Sequence, residues 1–99
     1  MNHEALNFIS SNQGKYNFYV WSNNQRTTLE EILKENNLNN LFKSTVSGTD
    51  VKLFKPDPEG FYRLYDTSQN KKDYLMIGDS ENDKKAAENS GIDYLYLHI

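Results

Sequence analysis

The chain contains no cysteine, which excludes a disulfide framework and a thiolate zinc site. It has no apolar run long enough for a membrane span and no secretory signal at its start, so a cytoplasmic location is the default expectation. It lacks any excess of basic charge. With a net charge of −3 and its acids and bases interspersed, it offers no footprint for nucleic acid or an anionic membrane. Proline occurs at two positions only, Pro56 and Pro58. No repeat recurs and no linker divides the sequence. Its 99 residues suit one small domain with one core, so residues 1–99 are read as a single unit. The asparagine-rich piece at 36–40 is too short to count as low complexity.

What is present is organised around Tyr74-Leu75-Met76-Ile77-Gly78-Asp79-Ser80-Glu81-Asn82-Asp83. The apolar run at 74–77 is short and bounded by polar residues, which predicts a buried strand. Gly78 allows a sharp turn at its end. Ser80 followed by Asp83 has the spacing of an N-cap and its acidic partner, so a helix is expected to start there. Asp79 then lies at the carboxyl end of a strand and Asp83 in the first helical turn. Open α/β sheets bind ligands at that edge. Two carboxylates with room for water and phosphate oxygens suit Mg²⁺, which takes few protein ligands. The plain alternative is a capped turn whose acids favour the helix dipole.

Taken in order, residues 4–12 read as a helix that ends before Gly14. Residues 16–21, rich in aromatic and β-branched side chains, read as a strand that runs into Ser22-Asn23-Asn24. Thr27 with Glu30, or Thr28 with Glu31, would make a capping box for a second helix carrying Leu29, Ile32 and Leu33. A weak strand at 43–47, near an edge, and a loop at 48–53 follow. Pro58 can serve as the first residue of a helix whose apolar face is Phe61, Leu64 and Tyr65. After the strand at 74–77, a helix bearing Ala86 and Ala87 stops at Gly91, and 94–97 form a last strand. The alternation of helix and strand implies an α/β fold: a three-layer sandwich around a small parallel sheet of about four strands.

Three places converge on one edge of such a sheet: Ser22 with Asn23, the proline-bounded loop bearing Lys55, and Asp79 with Asp83. Together a hydroxyl, an ammonium, backbone amides and a metal site would bind a phosphoryl group, and so a phosphorylated small molecule. Ser22 would donate to a phosphate oxygen, Lys55 would neutralise charge as a compact cation, and Mg²⁺ on Asp79 and Asp83 would act as a Lewis acid. Each has a plain reading as well: Ser22 as a strand-end cap and Lys55 as a solvated lysine. His3 and His98 lie at the termini with no apparent partners and are assigned no role.

These residues resemble the haloacid dehalogenase superfamily, most of whose members are Mg²⁺-dependent phosphatases and phosphotransferases. Tyr19-Val20-Trp21-Ser22-Asn23 is similar to its second motif, Lys55-Pro56-Asp57-Pro58 to its third, and Gly78-Asp79-Ser80-Glu81-Asn82-Asp83 to its fourth. Ala86-Ala87-Glu88-Asn89-Ser90-Gly91-Ile92 matches the usual sequel in the phosphoglycolate-phosphatase-like branch. The resemblance covers nearly the whole chain and implies a partial Rossmann-like core with Ser22 and Lys55 in catalytic roles. Ser22, Asn23 and Lys55 would bind phosphate, and Asp79 and Asp83 would hold Mg²⁺.

One departure is as informative as the match. The family's first motif is a strand ending in Asp-x-Asp, which supplies the nucleophile and its acid–base partner. No Asp-x-Asp occurs in this sequence. By resemblance that strand and the cap domain would precede Met1, and without an aspartyl nucleophile the covalent route is closed. The absent strand is the middle one of the family sheet. Three resolutions follow: the two halves close up, a second copy supplies a strand in a homodimer, or the missing N-terminal segment exists elsewhere. The first two are favoured. The functional expectation is a phosphatase core fragment with its phosphate and Mg²⁺ motifs but little or no turnover alone. The alternative is a non-catalytic remnant used as a binding module. A response-regulator receiver fits the alternation but not the order, since receivers place their acidic pair after the first strand.

Overall fold

A computed structural model describes residues 2–98. Its elements are α1 (His3–Ser11), β1 (Tyr19–Trp21), α2 (Arg26–Glu35), β2 (Ser44–Val46), α3 (Glu59–Leu64), β3 (Leu75–Gly78), α4 (Glu81–Ser90) and β4 (Asp93–Tyr96). Short 3-10 turns at Gly48–Asp50 and Lys71–Asp73 complete it. The expected α/β alternation and parallel pairing are both present. The sheet, however, is not continuous. β1 pairs with β2 and β3 with β4, each in parallel, and no backbone hydrogen bond joins β1 to β3. The two halves have not closed up, contrary to one of the two favoured sequence expectations.

Local chemistry explains most boundaries. At α4 the Ser80 hydroxyl accepts the Asp83 amide at 3.1 Å, the N-cap expected from the sequence. The helix ends on Gly91 at φ 75, and Ile92 N–H reaches back to the Ala87 carbonyl at 3.0 Å. Asn37 does the same for α2 with φ 57, which gives part of the asparagine-rich piece a role. The start of α2 differs from expectation. Its N-cap is Gln25, with no side-chain bond, so neither threonine forms a capping box. Instead the Arg26 amide donates to Thr49 Oγ1 at 3.0 Å, and a neighbouring segment caps the helix. A capping box does form at Ser47 and Asp50, whose carboxylate also binds Arg26. Pro58 is the N-cap of α3 rather than its first residue.

Among the described residues, the buried apolar ones are Leu29, Leu38, Val46, Phe61, Ala86 and Ala87. Phe61 anchors an aromatic cluster, stacked on Tyr65 with centroids 5.2 Å apart and edge-on to Tyr74 at 5.3 Å. Helix α3 packs against β1 and β2, and α4 against β3 and β4. Gly60 makes the first of these contacts feasible, because a Cβ there would enter the Trp21 indole. Strand β3 is not buried as the sequence predicts. Leu75 and Ile77, on one face, are 53% and 40% exposed, and Leu95 beside them on β4 is 50% exposed. The α4 side is closed by the small side chains Ala86 and Ala87, while this opposite face is bare, although parallel strands ordinarily have both faces covered.

Candidate active site

At the carboxyl ends of β1 and β3 the structure joins Lys55 with Asn23 and Asp83, while Ser22 and Asp79 stand on the same edge outside those bonds. Lys55 Nζ donates to the Trp21 carbonyl at 3.0 Å and to Asp83 Oδ1 at 2.9 Å, so one ammonium bridges the two strand pairs. The side chains of Lys55 and Asp83 are only 12% and 14% exposed. Lys55 therefore departs from the plain reading of a solvated lysine. Its ammonium also stands 5.9 Å from the centroid of the Trp21 ring. The loop is fastened from both sides: Lys55 N–H donates to Asn23 Oδ1 at 3.0 Å, and Asn89 of α4 donates to the Pro56 carbonyl at 2.9 Å. The peptide between Lys55 and Pro56 is cis. Glu59 holds the preceding turn by accepting the Lys52 and Leu53 amides at 3.1 Å.

Gly78 is required here for space rather than for a turn. It lies within β3 with ordinary backbone angles, and a Cβ would fall among the Asp83 carboxylate atoms. Burial pushes the Asp83 carboxyl up, but the Lys55 ammonium, the Ser80 hydroxyl and a backbone amide outweigh it, leaving it below the ordinary value of 3.8. The Tyr94 hydroxyl moves the other way, raised by burial and then by the charges of Asp83, Asp79 and Glu81. It stays protonated and donates to the Gly78 carbonyl at 2.8 Å.

Asp79 lines an open cleft of about 410 Å³ with Ser80, Glu81, Lys84, Tyr94 and Tyr96. His98, read from the sequence as partnerless, has Nδ1 3.9 Å from Asp79 Oδ2. Ser22 follows β1 directly; its amide donates to the Val46 carbonyl and its Oγ accepts the Asn24 amide at 3.0 Å, the strand-end cap of the plain reading. That bond uses an acceptor site and leaves the hydroxyl proton to donate elsewhere. Among the described residues there is no group of three or more His, Asp or Glu side chains that could hold a metal ion. Mg²⁺ does not demand one, since one or two carboxylates with phosphate and water complete its shell. Asp79 and Asp83 are carboxylates of that kind; Asp83 is engaged by Lys55, and Asp79 lines the open cleft.

Sequence reasoning missed the Trp21 carbonyl and Asn89, and it gave Asn23 a phosphate-binding role without its contact to the Lys55 amide. Their side-chain types carry no signal for these contacts, which depend on where the Lys55 loop folds.

The family model described as haloacid dehalogenase-like hydrolase matches residues 3–97. No curated protein matches the chain. Among solved structures, a HAD-superfamily hydrolase of subfamily IA from Geobacter sulfurreducens superposes with a TM-score of 0.88 at 23% identity, covering 95% of this chain and 45% of that one. A hydrolase from Streptococcus pneumoniae gives 0.77 at 25% identity, over 94% of this chain and 49% of its own. A HAD-superfamily hydrolase from Ehrlichia chaffeensis also gives 0.77, at 23% identity, over 95% and 52%. The chain thus spans about half the length of the structures it matches. Among the described residues no helix is long and apolar enough to cross a membrane. With the family match running from one end of the sequence almost to the other, the chain belongs to the haloacid dehalogenase-like hydrolases.

Proposed function

We propose that this chain is the phosphate- and Mg²⁺-binding part of a phosphatase core, with little or no turnover by itself. The observation that carries the reading is the part-buried Lys55 ammonium, held between a strand-end carbonyl and Asp83. A lysine with three donors and two fixed acceptors keeps one N–H for a third oxygen. In this reading the third oxygen belongs to a phosphate. Ser22 donates its hydroxyl proton to the same phosphate, and the amide group of Asn23 lies beside it. Asp79 and Asp83 hold Mg²⁺, which when bound neutralises phosphate charge. Turnover is absent because the sequence has no Asp-x-Asp and its remaining aspartates outside the fourth motif stand singly.

The test is thermal unfolding with Mg²⁺ and inorganic phosphate, together with Mg²⁺-dependent hydrolysis of an aryl phosphate. Ligands at about a hundred times their Kd stabilise the fold by roughly 2.7 kcal/mol through linkage, an effect lost in Asp79→Asn. Hydrolysis stays at the level of that variant. No stabilisation of the parent chain would sink the phosphate–Mg²⁺ reading, and turnover that depends on Asp79 would sink the claim of inactivity.

A second reading, a non-catalytic binding module, is favoured by one observation: β3 carries exposed Leu75 and Ile77 on a strand with one free edge.

A further inference from the structure

Tyr94 reaches the candidate site but belongs to none of the sequence motifs that mark it. It lies on β4 opposite Met76. Gly78 is two residues further along β3, a distance of about 6.6 Å. The Tyr94 hydroxyl covers that distance and donates to the Gly78 carbonyl at 2.8 Å, with the Ser80 carbonyl 3.5 Å away. These two carbonyls bracket Asp79. A serine or threonine at 94 would be too short to reach either.

The backbone does not need this bond for its own satisfaction. The Gly78 carbonyl already accepts Leu97 N–H at 3.0 Å, at the end of the β3–β4 ladder. Tyr94 takes the second lone pair, so the oxygen is held from two directions. The other side of the same peptide unit is held as well. The Asp79 N–H is hydrogen-bonded to the Asp83 carboxylate, which in turn accepts from Lys55 at 2.9 Å. A continuous line of hydrogen bonds thus runs from Tyr94 through the Gly78–Asp79 peptide to Asp83 and Lys55. Donation to a peptide oxygen polarises the unit and strengthens its N–H as a donor. The negative charges around the phenol keep its proton in place for that donation.

We propose that Tyr94 is a positioning residue for the Mg²⁺ and phosphate site: its hydroxyl fixes the Gly78–Asp79 peptide, and through that peptide the backbone from which Asp79 departs and the place of Asp83. It acts through the peptide rather than by contact with an ion. Partners of this kind, which orient ligands without touching the metal, commonly change metal affinity tenfold or more when removed. What the site holds rests on the phosphate–Mg²⁺ reading. The coupling of Tyr94 to the Asp79 amide does not, and it is tested without metal.

The experiment compares the full chain with two variants, Tyr94→Phe and a chain carrying 3-fluorotyrosine at position 94 alone. Amide NMR spectra are recorded first without metal and then through a titration with Mg²⁺. Without metal, the Asp79 amide proton should move upfield in Tyr94→Phe, which has lost the donor. It should move downfield with the fluorinated ring, whose hydroxyl is the stronger donor. In the titration, the Mg²⁺ Kd read from signals of the folded chain should rise about tenfold in Tyr94→Phe. A tyrosine that only stabilises the fold would leave both the Asp79 amide and that Kd unchanged, and this result overturns the proposal. A shift in the same direction in both variants overturns it too. If Tyr94→Phe does not fold, the direction of the shift in the fluorinated chain decides. A parent chain that binds no Mg²⁺ sinks the phosphate–Mg²⁺ reading and the role of Tyr94 with it, whereas equal Mg²⁺ binding by parent and variant removes the role of Tyr94 alone.

Discussion

Lys55→Met isolates the contact on which the site depends. The substitution keeps an apolar stem against Trp21 and removes the ammonium, so Asp83 loses its cation. Breaking a fully buried ion pair costs about 3–5 kcal/mol, whereas an exposed pair contributes roughly 0.2–1 kcal/mol. With side chains 12% and 14% exposed, this pair lies nearer the buried case but keeps some solvent screening, and we expect a loss of about 2–3 kcal/mol at pH 7. A domain of this size holds roughly 5–15 kcal/mol in total, so the loss is large without abolishing folding.

The assay is urea unfolding followed by fluorescence of Trp21, the only tryptophan, which adjoins the altered residue. pH provides the sharper test. The Asp83 carboxyl is lowered in the folded parent, so its contribution is present above the unfolded pKa and is lost as pH falls through the folded value. In the variant the unpaired carboxylate is costly only while ionised. The gap between parent and variant therefore narrows below about pH 4. Lys55→Met combined with Asp83→Asn should recover part of the loss at pH 7, because the second change removes the stranded charge. A difference under about 0.5 kcal/mol at pH 7, or one that persists unchanged in acid, would refute the reasoning.

Gly78→Ala should destabilise by about 1–3 kcal/mol in the same urea assay, since the new methyl enters the space of the Asp83 carboxylate; a neutral result would show that Asp83 can move aside freely. Asp50→Asn should flatten the acid limb of the stability curve. Its carboxyl is lowered first by the Ser47 amide, against burial, and then by the Ser47 hydroxyl and Arg26, so its contribution holds above the unfolded pKa and fades as pH falls through the folded one. The group is a third exposed, so the effect at pH 7 should stay near 1 kcal/mol, and an unchanged acid limb would show that another group controls it.

Much of this protein was legible in the sequence because short-range chemistry writes it there. Ser80 with Asp83 fixed the start of α4, Gly91 its end, and the apolar run before Gly78 the strand that delivers Asp79. Alternation of helix and strand implied parallel pairing, and the order of the motifs implied the family. Other features needed partners distant in the chain. The cap of α2 comes from Thr49, and the acceptor of Lys55 is a backbone carbonyl 34 residues away. No spacing rule marks either. The sequence also suggested that β3 is buried and that the two halves close up. Both expectations rested on the local rule that apolar runs and strand edges find cover, and that rule is silent on where the cover comes from. The tertiary structure decided the matter differently. α3 packs on one strand pair and α4 on the other, Lys55 links the two through the Trp21 carbonyl and Asp83, and no backbone hydrogen bond joins β1 to β3.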